Sequence, residues 1–433
     1  MLILSIFLAA AGPLPPPPLT LEEAAALAAG GAPAVAQAEA QTQQARSAAA
    51  AARSRLGPTL AVDFKALTTD NPVDVFALTL QQERFSLSEF AASDPNHPGY
   101  LKDWSAGVTA EWDVDVFGST RRAADSALAA AQAADRSSRW TRRTSALDAV
   151  ASFASASRAE SSLRLLGERE ADAEKDASIA ESLFTQGFTT AADPARARAA
   201  VAEVRAQIAE QRAVLEQARA GLSAVIGADA ASRPLAPLPE PVAVPGSGAV
   251  TRDDVESADL SAQAARDRDK AASLSRWPSL LIQGTYQLHA PTPGGRWGDS
   301  ATAFAGFRLP VFASGGIDAR IAEARAAAIA AEALARGARA EGDRQIAASR
   351  AALAASEARE TAFLEAQSAA GQAREIQQAR YEEGIARFAD LLEARAAELR
   401  AGLGVLGART ERVVAAASLR LALGLTPVGE EKP

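Results

Sequence analysis

Cysteine is absent from the 433 residues, which excludes disulfides and thiolate metal sites and leaves no residue for a lipoprotein-type anchor. Histidine is almost absent too. His97 and His289 are the only two, too few for a metal cluster or a Ser-His-Asp arrangement. Aromatic residues make up 5% and there is one methionine, so neither a large aromatic core nor a soft-metal site is indicated. Much of the 48% hydrophobic share is alanine, which favours helix but buries little area per residue. Basic residues do not dominate. The net charge of −8 and pI near 5.2 give no basic face for nucleic acid. No stretch reaches the ~20 apolar residues of a membrane helix. The one match to a dinucleotide fingerprint, GLGVLG at 402–407, lies in a helical tract with no strand before it and reads as helix packing. No cofactor and no catalysis are expected.

What is present starts with LILSIFLAAAG, Leu2 to Gly12, followed by a proline-rich stretch. Its length suits the apolar core of a secretory signal, predicted over 1–12, although no basic residue precedes it. Further on, WSAGVTAEWDVDV alternates from Trp104 to Val116. Trp104, Ala106, Val108, Ala110, Trp112, Val114 and Val116 fall on one side; Glu111, Asp113 and Asp115 are among those on the other. A period of two marks a strand with one apolar and one wet face. Three more segments share the property, giving predicted strands at about 59–68, 104–116, 279–289 and 301–312. They form two pairs, joined by a long loop (69–103) and a short one (290–300).

The surroundings repeat as well. RLGPTL (55–60) leads into the first pair and RWPSLL (276–281) into the second, while Val116-Phe117 and Val311-Phe312 end them. FTQGFTTAAD (184–193) matches YEEGIARFAD (381–390), each with a glycine six residues before an aspartate. Gly187 with Gly384, Leu222 with Leu419 and Gly227 with Gly424 share one offset, which marks a duplication. A first repeat is predicted over 13–232, a proline-rich linker over 233–249, a second repeat over 250–426 and a polar tail over 427–433. Two tracts, about 119–185 and 317–383, contain no proline and could each extend ~100 Å as helix. Asp193-Pro194 reads as a helix cap, and Asp390 with Glu393 as an Asp version of the capping box.

Four two-faced strands cannot close a membrane barrel alone, since open edges in lipid leave backbone groups unpaired. Either they pack within a soluble protein or several chains pool them. Strand lengths near those of tilted membrane strands favour pooling, as do Trp104, Trp112, Trp277 and Trp297 in or beside the strands, where interfacial aromatics belong. LTLEEAAALA (19–28), the two segments leading into the β-pairs, the Val-Phe exits and the repeated glycine turn together resemble the TolC-type outer membrane efflux proteins over about residues 19–426.

The resemblance implies a mainly α fold with a small β part. A homotrimer would pool four strands per chain into a twelve-stranded outer-membrane barrel, continued by a helical periplasmic tube. It implies a passive exit duct of a tripartite efflux pump or type I secretion system, partnered by a periplasmic adaptor and an inner-membrane efflux or ABC transporter, in the outer membrane of a Gram-negative bacterium. Glu111, Asp113 and Asp115 would line the pore. By position, Asp390 and Glu393 would form acidic rings at a periplasmic gate, with Tyr381 in the closing network. The family's gate-holding arginine falls at Ala386, with Arg387 one place off. Gly187, Asp193 and Gly384 would mark the turns that meet the adaptor. A plain reading stands beside each: Asp390 and Glu393 capping a helix, the glycines making tight turns. Alternatives for the whole chain are a periplasmic adaptor, which would carry a lipoyl-like β half-pair around one hairpin, and a soluble coiled-coil protein.

Overall fold

The structure, a computed structural model, describes residues 17–88, 94, 96–245 and 251–429. The predicted leader at 1–12 lies outside them, as do the last residues of the predicted linker and of the tail. The elements run α1 (Leu21–Gly31), α2 (Pro33–Ser54), β1 (Thr59–Thr69), α3 (Pro72–Gln81), β2 (Leu101–Val114), α4 (Ser119–Thr185), α5 (Ala192–Ile226), α6 (Ala228–Ala231), α7 (Asp253–Leu274), β3 (Ser279–Ala290), β4 (Gly298–Arg308), α8 (Gly316–Glu382) and α9 (Phe388–Ala422). Both α4 and α8 are 67 residues long, and both α5 and α9 are 35. No described helix is long and apolar enough to cross a membrane.

The chain divides into two compact units: one of residues 1–41, 135–256 and 337–433, the other of 42–134 and 257–336. The division runs across the sequence repeats, because α4 and α8 each contribute residues to both units.

The first unit is helical. Its core joins Leu19, Leu21 and Ala24 to Val150 and Phe153 of α4, Leu222 of α5 and Val413 of α9. Thr20 caps α1, its hydroxyl accepting from the Glu23 amide at 3.2 Å, with Glu22 and Glu23 favourably placed in the first turn. The proline-rich linker is anchored at its start. Leu19 forms a parallel bridge with Leu235, and Arg233 holds Glu23 through both Nη1 (2.6 Å) and Nη2 (3.0 Å).

The second unit holds one antiparallel sheet in the order β1-β2-β3-β4. Two strands differ from the alternation pattern. β2 spans 101–114 rather than 104–116, and β4 spans 298–308 rather than 301–312. The end of β2 has a cause. The Asp115 carboxylate accepts from the backbone amides of Thr120 (3.1 Å) and Arg121 (2.7 Å), so it anchors the start of α4 instead of continuing the strand. The long loop also contains a helix, α3, capped by Asn71 with Pro72 in its first turn.

Candidate functional site

Within the sheet unit, register sorts residues onto two faces. Leu60, Ala110, Gly284 and Ala303 form one row across the four strands, and Val62, Val108, Tyr286 and Ala301 form another. This face is apolar and open, with Phe64 80% exposed. The opposite face carries Asp63, Lys65, Ser105, Thr109, Glu111, Thr285 and Gln287. Glu111 and Asp113 both lie on it and are exposed; Asp115, expected beside them, lies beyond the strand end. Trp112 and Trp277 mark the end where strands join helices, and Trp104 and Trp297 mark the loop end. Trp112 donates from Nε1 to the Leu56 carbonyl, and Trp277 stacks on Phe117. At ~3.3 Å per residue, Trp104 and Trp112 stand about 26 Å apart along β2, close to the ~25 Å apolar band of membrane barrels. Among the described residues, β1 and β4 each keep one edge without a strand partner.

Within the helical unit, two turns end α4 and α8 in the same way. The amides of Phe188 and Gly187 bond back to the carbonyls of Leu183 and Phe184, and those of Ile385 and Gly384 to Arg380 and Tyr381. Both are Schellman motifs, with Gly187 at φ +80° and Gly384 at φ +72° in the left-handed region that favours glycine. Gly384→Ala should therefore weaken this turn by about 1 kcal/mol, read as faster amide exchange around 380–388 with little change elsewhere.

The expected caps are not formed. α5 begins at Ala192, ahead of Asp193, because the Asp193 amide already bonds to the Thr190 carbonyl; its carboxylate pairs with Arg196 at 3.4 Å. Asp390 sits in the first turn of α9 behind Arg387 and accepts from that guanidinium at 2.9 Å. Glu393 is exposed one turn along.

Tyr381 turns the other way. It is fully buried with Phe388, Leu391, Ala180 and Ala197, in a cluster drawing on α4, α5, α8 and α9. Burial first, then the charges of Asp193 and Asp176, push its hydroxyl up to about 12, so it stays protonated. Next to this cluster is an ionic group that sequence reasoning missed. Arg395 is buried and donates to Asp172 (2.6 Å) and Asp176 (3.0 Å) of α4 and to Gln378 of α8 (3.2 Å). Arg169 adds a contact to Asp176 at 3.6 Å; burial and then the Arg395 charge lower its pKa. The only sequence signal was an acidic pair at i, i+4 on α4, ordinary on any helix surface. The structure thus gathers Tyr381 and Arg395 on the buried side and leaves Asp390, Glu393 and Arg387 on the exposed side. Among the described residues no group of acidic and histidine side chains could hold a metal ion.

A sequence profile described as Outer membrane efflux protein matches residues 25–228 and 247–425. Among solved structures, the chain is similar to a membrane protein of Pseudomonas aeruginosa (TM-score 0.81, 21% identity, 93% of each chain covered). It is also similar to the outer membrane protein VceC of Vibrio cholerae (0.80, 20%, 94% of this chain and 97% of that one). A third is the CmeC outer membrane channel of Campylobacter jejuni (0.81, 16%, 95% and 87%). No functionally curated protein matches the chain in sequence.

Proposed function

The chain belongs to the outer membrane efflux protein family, and on that premise we propose that three copies assemble into one gated exit duct of a tripartite pump. It is an outer-membrane channel protein with a large periplasmic helical portion and no enzymatic activity of its own. The observation that carries the assembly is the sheet: four strands, an apolar face left open, a polar face opposite and two unpaired edges. In lipid each unpaired backbone group costs several kcal/mol, and edge-to-edge pairing of β1 with β4 of the next copy removes that cost by closing twelve strands. The apolar rows then face lipid, and Glu111 and Asp113 line the lumen. Trp104, Trp112, Trp277 and Trp297 lie at the two interfaces.

In the helical unit, Asp390 and Glu393 of three copies surround an axis as acidic rings that favour cations. The Arg387–Asp390 pair is exposed and worth about 0–1 kcal/mol, so it parts readily when the tip opens. Gly187, Asp193 and Gly384 belong to the turns that meet the periplasmic adaptor. Phe188 and Ile385, 68% and 65% exposed directly after the two glycines, supply apolar contact there. An inner-membrane transporter provides the energy, and a type I secretion partner would use the same duct. Single-channel recording in planar bilayers tests this reading. Native trimers are expected to open with cation selectivity, and Asp390→Ala to reduce that selectivity while leaving the trimer intact. Trimers without current would sink the duct; unchanged selectivity would remove the ring from Asp390.

A further inference from the structure

The helix α3 lies in the long loop at the end of the sheet away from the helices, and it is apolar on two opposite sides. Its inner side, with Leu78 buried, packs on β3 and β4. Just past it, buried Gln82 donates from Nε2 to the Lys102 carbonyl (3.0 Å) and to Asp103 Oδ1 (2.9 Å). The other oxygen of Asp103 meets His289 Nδ1 at 3.0 Å, and both side chains are buried. Glu83 pairs with Arg296 of the second loop at 2.9 Å. At Gly298 an added Cβ would stand 2.2 Å from the Gln81 carbonyl oxygen, so the loop backbone rests directly on the first residue of β4. Asp103 and His289 belong to the polar face of the sheet. The helix is therefore fastened over the polar face, not the apolar one.

On the outer side of α3, Val73 (75%), Ala77 and Leu80 (46%) form an exposed ridge. An exposed apolar ridge on a helix whose other side is already packed is ordinarily covered in turn. Lipid cannot cover this one, because in the duct reading, on which this inference rests, the polar face is the lumen. The dimensions name the cover. Twelve strands about 4.8 Å apart and tilted about 40° close a barrel of about 24 Å backbone diameter. A helix with its side chains is about 10–12 Å across. Three such helices, each held against the inner rim, reach one another at the axis.

We propose that Val73, Ala77 and Leu80 of the three copies meet at the loop end of the barrel as an apolar plug, a second constriction that the buried Gln82–Asp103–His289 group holds in place. An apolar constriction closes a pore by expelling water from it.

The lack of native cysteine makes the test direct. Ala77→Cys and Val73→Cys each place one thiol per chain on the ridge. Full-length trimers, verified by native mass spectrometry, are oxidised with copper–phenanthroline and run on denaturing gels. One disulfide can form among three thiols at an axis, so about two chains in three should migrate as a linked dimer for either variant. Verified trimers that yield only single chains with both variants would overturn the plug and leave the duct standing. Failure of the unmodified chain to form trimers would overturn both.

Discussion

Arg395→Ala should give channels whose resting conductance is at least about tenfold higher than that of the unmodified duct. The substitution leaves Asp176 buried without its strongest partner and releases Asp172 and Gln378, which join α9 to α4 and α8. Breaking a buried ion pair from one side costs about 3–5 kcal/mol, and each ~1.4 kcal/mol shifts an equilibrium tenfold, so a closed tip held by this group should lose most of its population. Arg395→Met with Asp176→Leu separates charge from packing. Removing both partners leaves no buried carboxylate and only Arg169 without its longer 3.6 Å contact, and should restore part of the closed state. Single-channel recordings of the three proteins decide the matter. Conductance unaffected by Arg395→Ala would reduce the group to a clamp between helices that never part.

Val108→Arg should abolish stable trimers in the outer-membrane fraction, whereas Thr109→Arg should be accepted. The two residues are adjacent on β2 but point to opposite faces: Val108 pairs with Val62 and Tyr286, Thr109 with Ala61 and Thr285. Arginine on the lipid side near mid-membrane costs about 2–4 kcal/mol per chain, about three times that for a trimer, while on the lumen side it keeps its water. Thr109→Arg should instead lower cation selectivity by offsetting Glu111 and Asp113. Heat-modifiable trimer bands and selectivity report the two outcomes. Equal tolerance of both substitutions would mean that the sheet does not face lipid.

The strands could be read from the chain because period-two alternation has one structural meaning over ten residues. Their ends could not. Aspartate serves a wet strand face and a helix start equally well, and only the amides of Thr120 and Arg121 show which role Asp115 takes. α3 was not anticipated for a different reason: it is only 10 residues long, too short for the spacing of Val73, Ala77 and Leu80 to stand out within a loop. The turns at 187 and 384 were legible through their glycines, but the caps assigned to Asp193 and Asp390 were not, since each Schellman turn returns the chain to helix a residue or more early. Arg395 looked like one more surface charge on an alanine-rich helix. Its burial depends on α4, two hundred residues earlier in the chain, and no local pattern records that.

The sheet order also governs when the protein can fold. β2 is bonded to β3, so Trp112 must find Ile282, and Leu19 must find Leu235. Neither pairing can form while only the first half of the chain has emerged, and closing such long loops is slow. During that interval β1 and β2 expose bare edges and rows of lipid-seeking side chains to water, conditions that promote aggregation. Either repeat produced alone should therefore leave those rows and edges uncovered, and the four-stranded sheet forms only where both repeats are present.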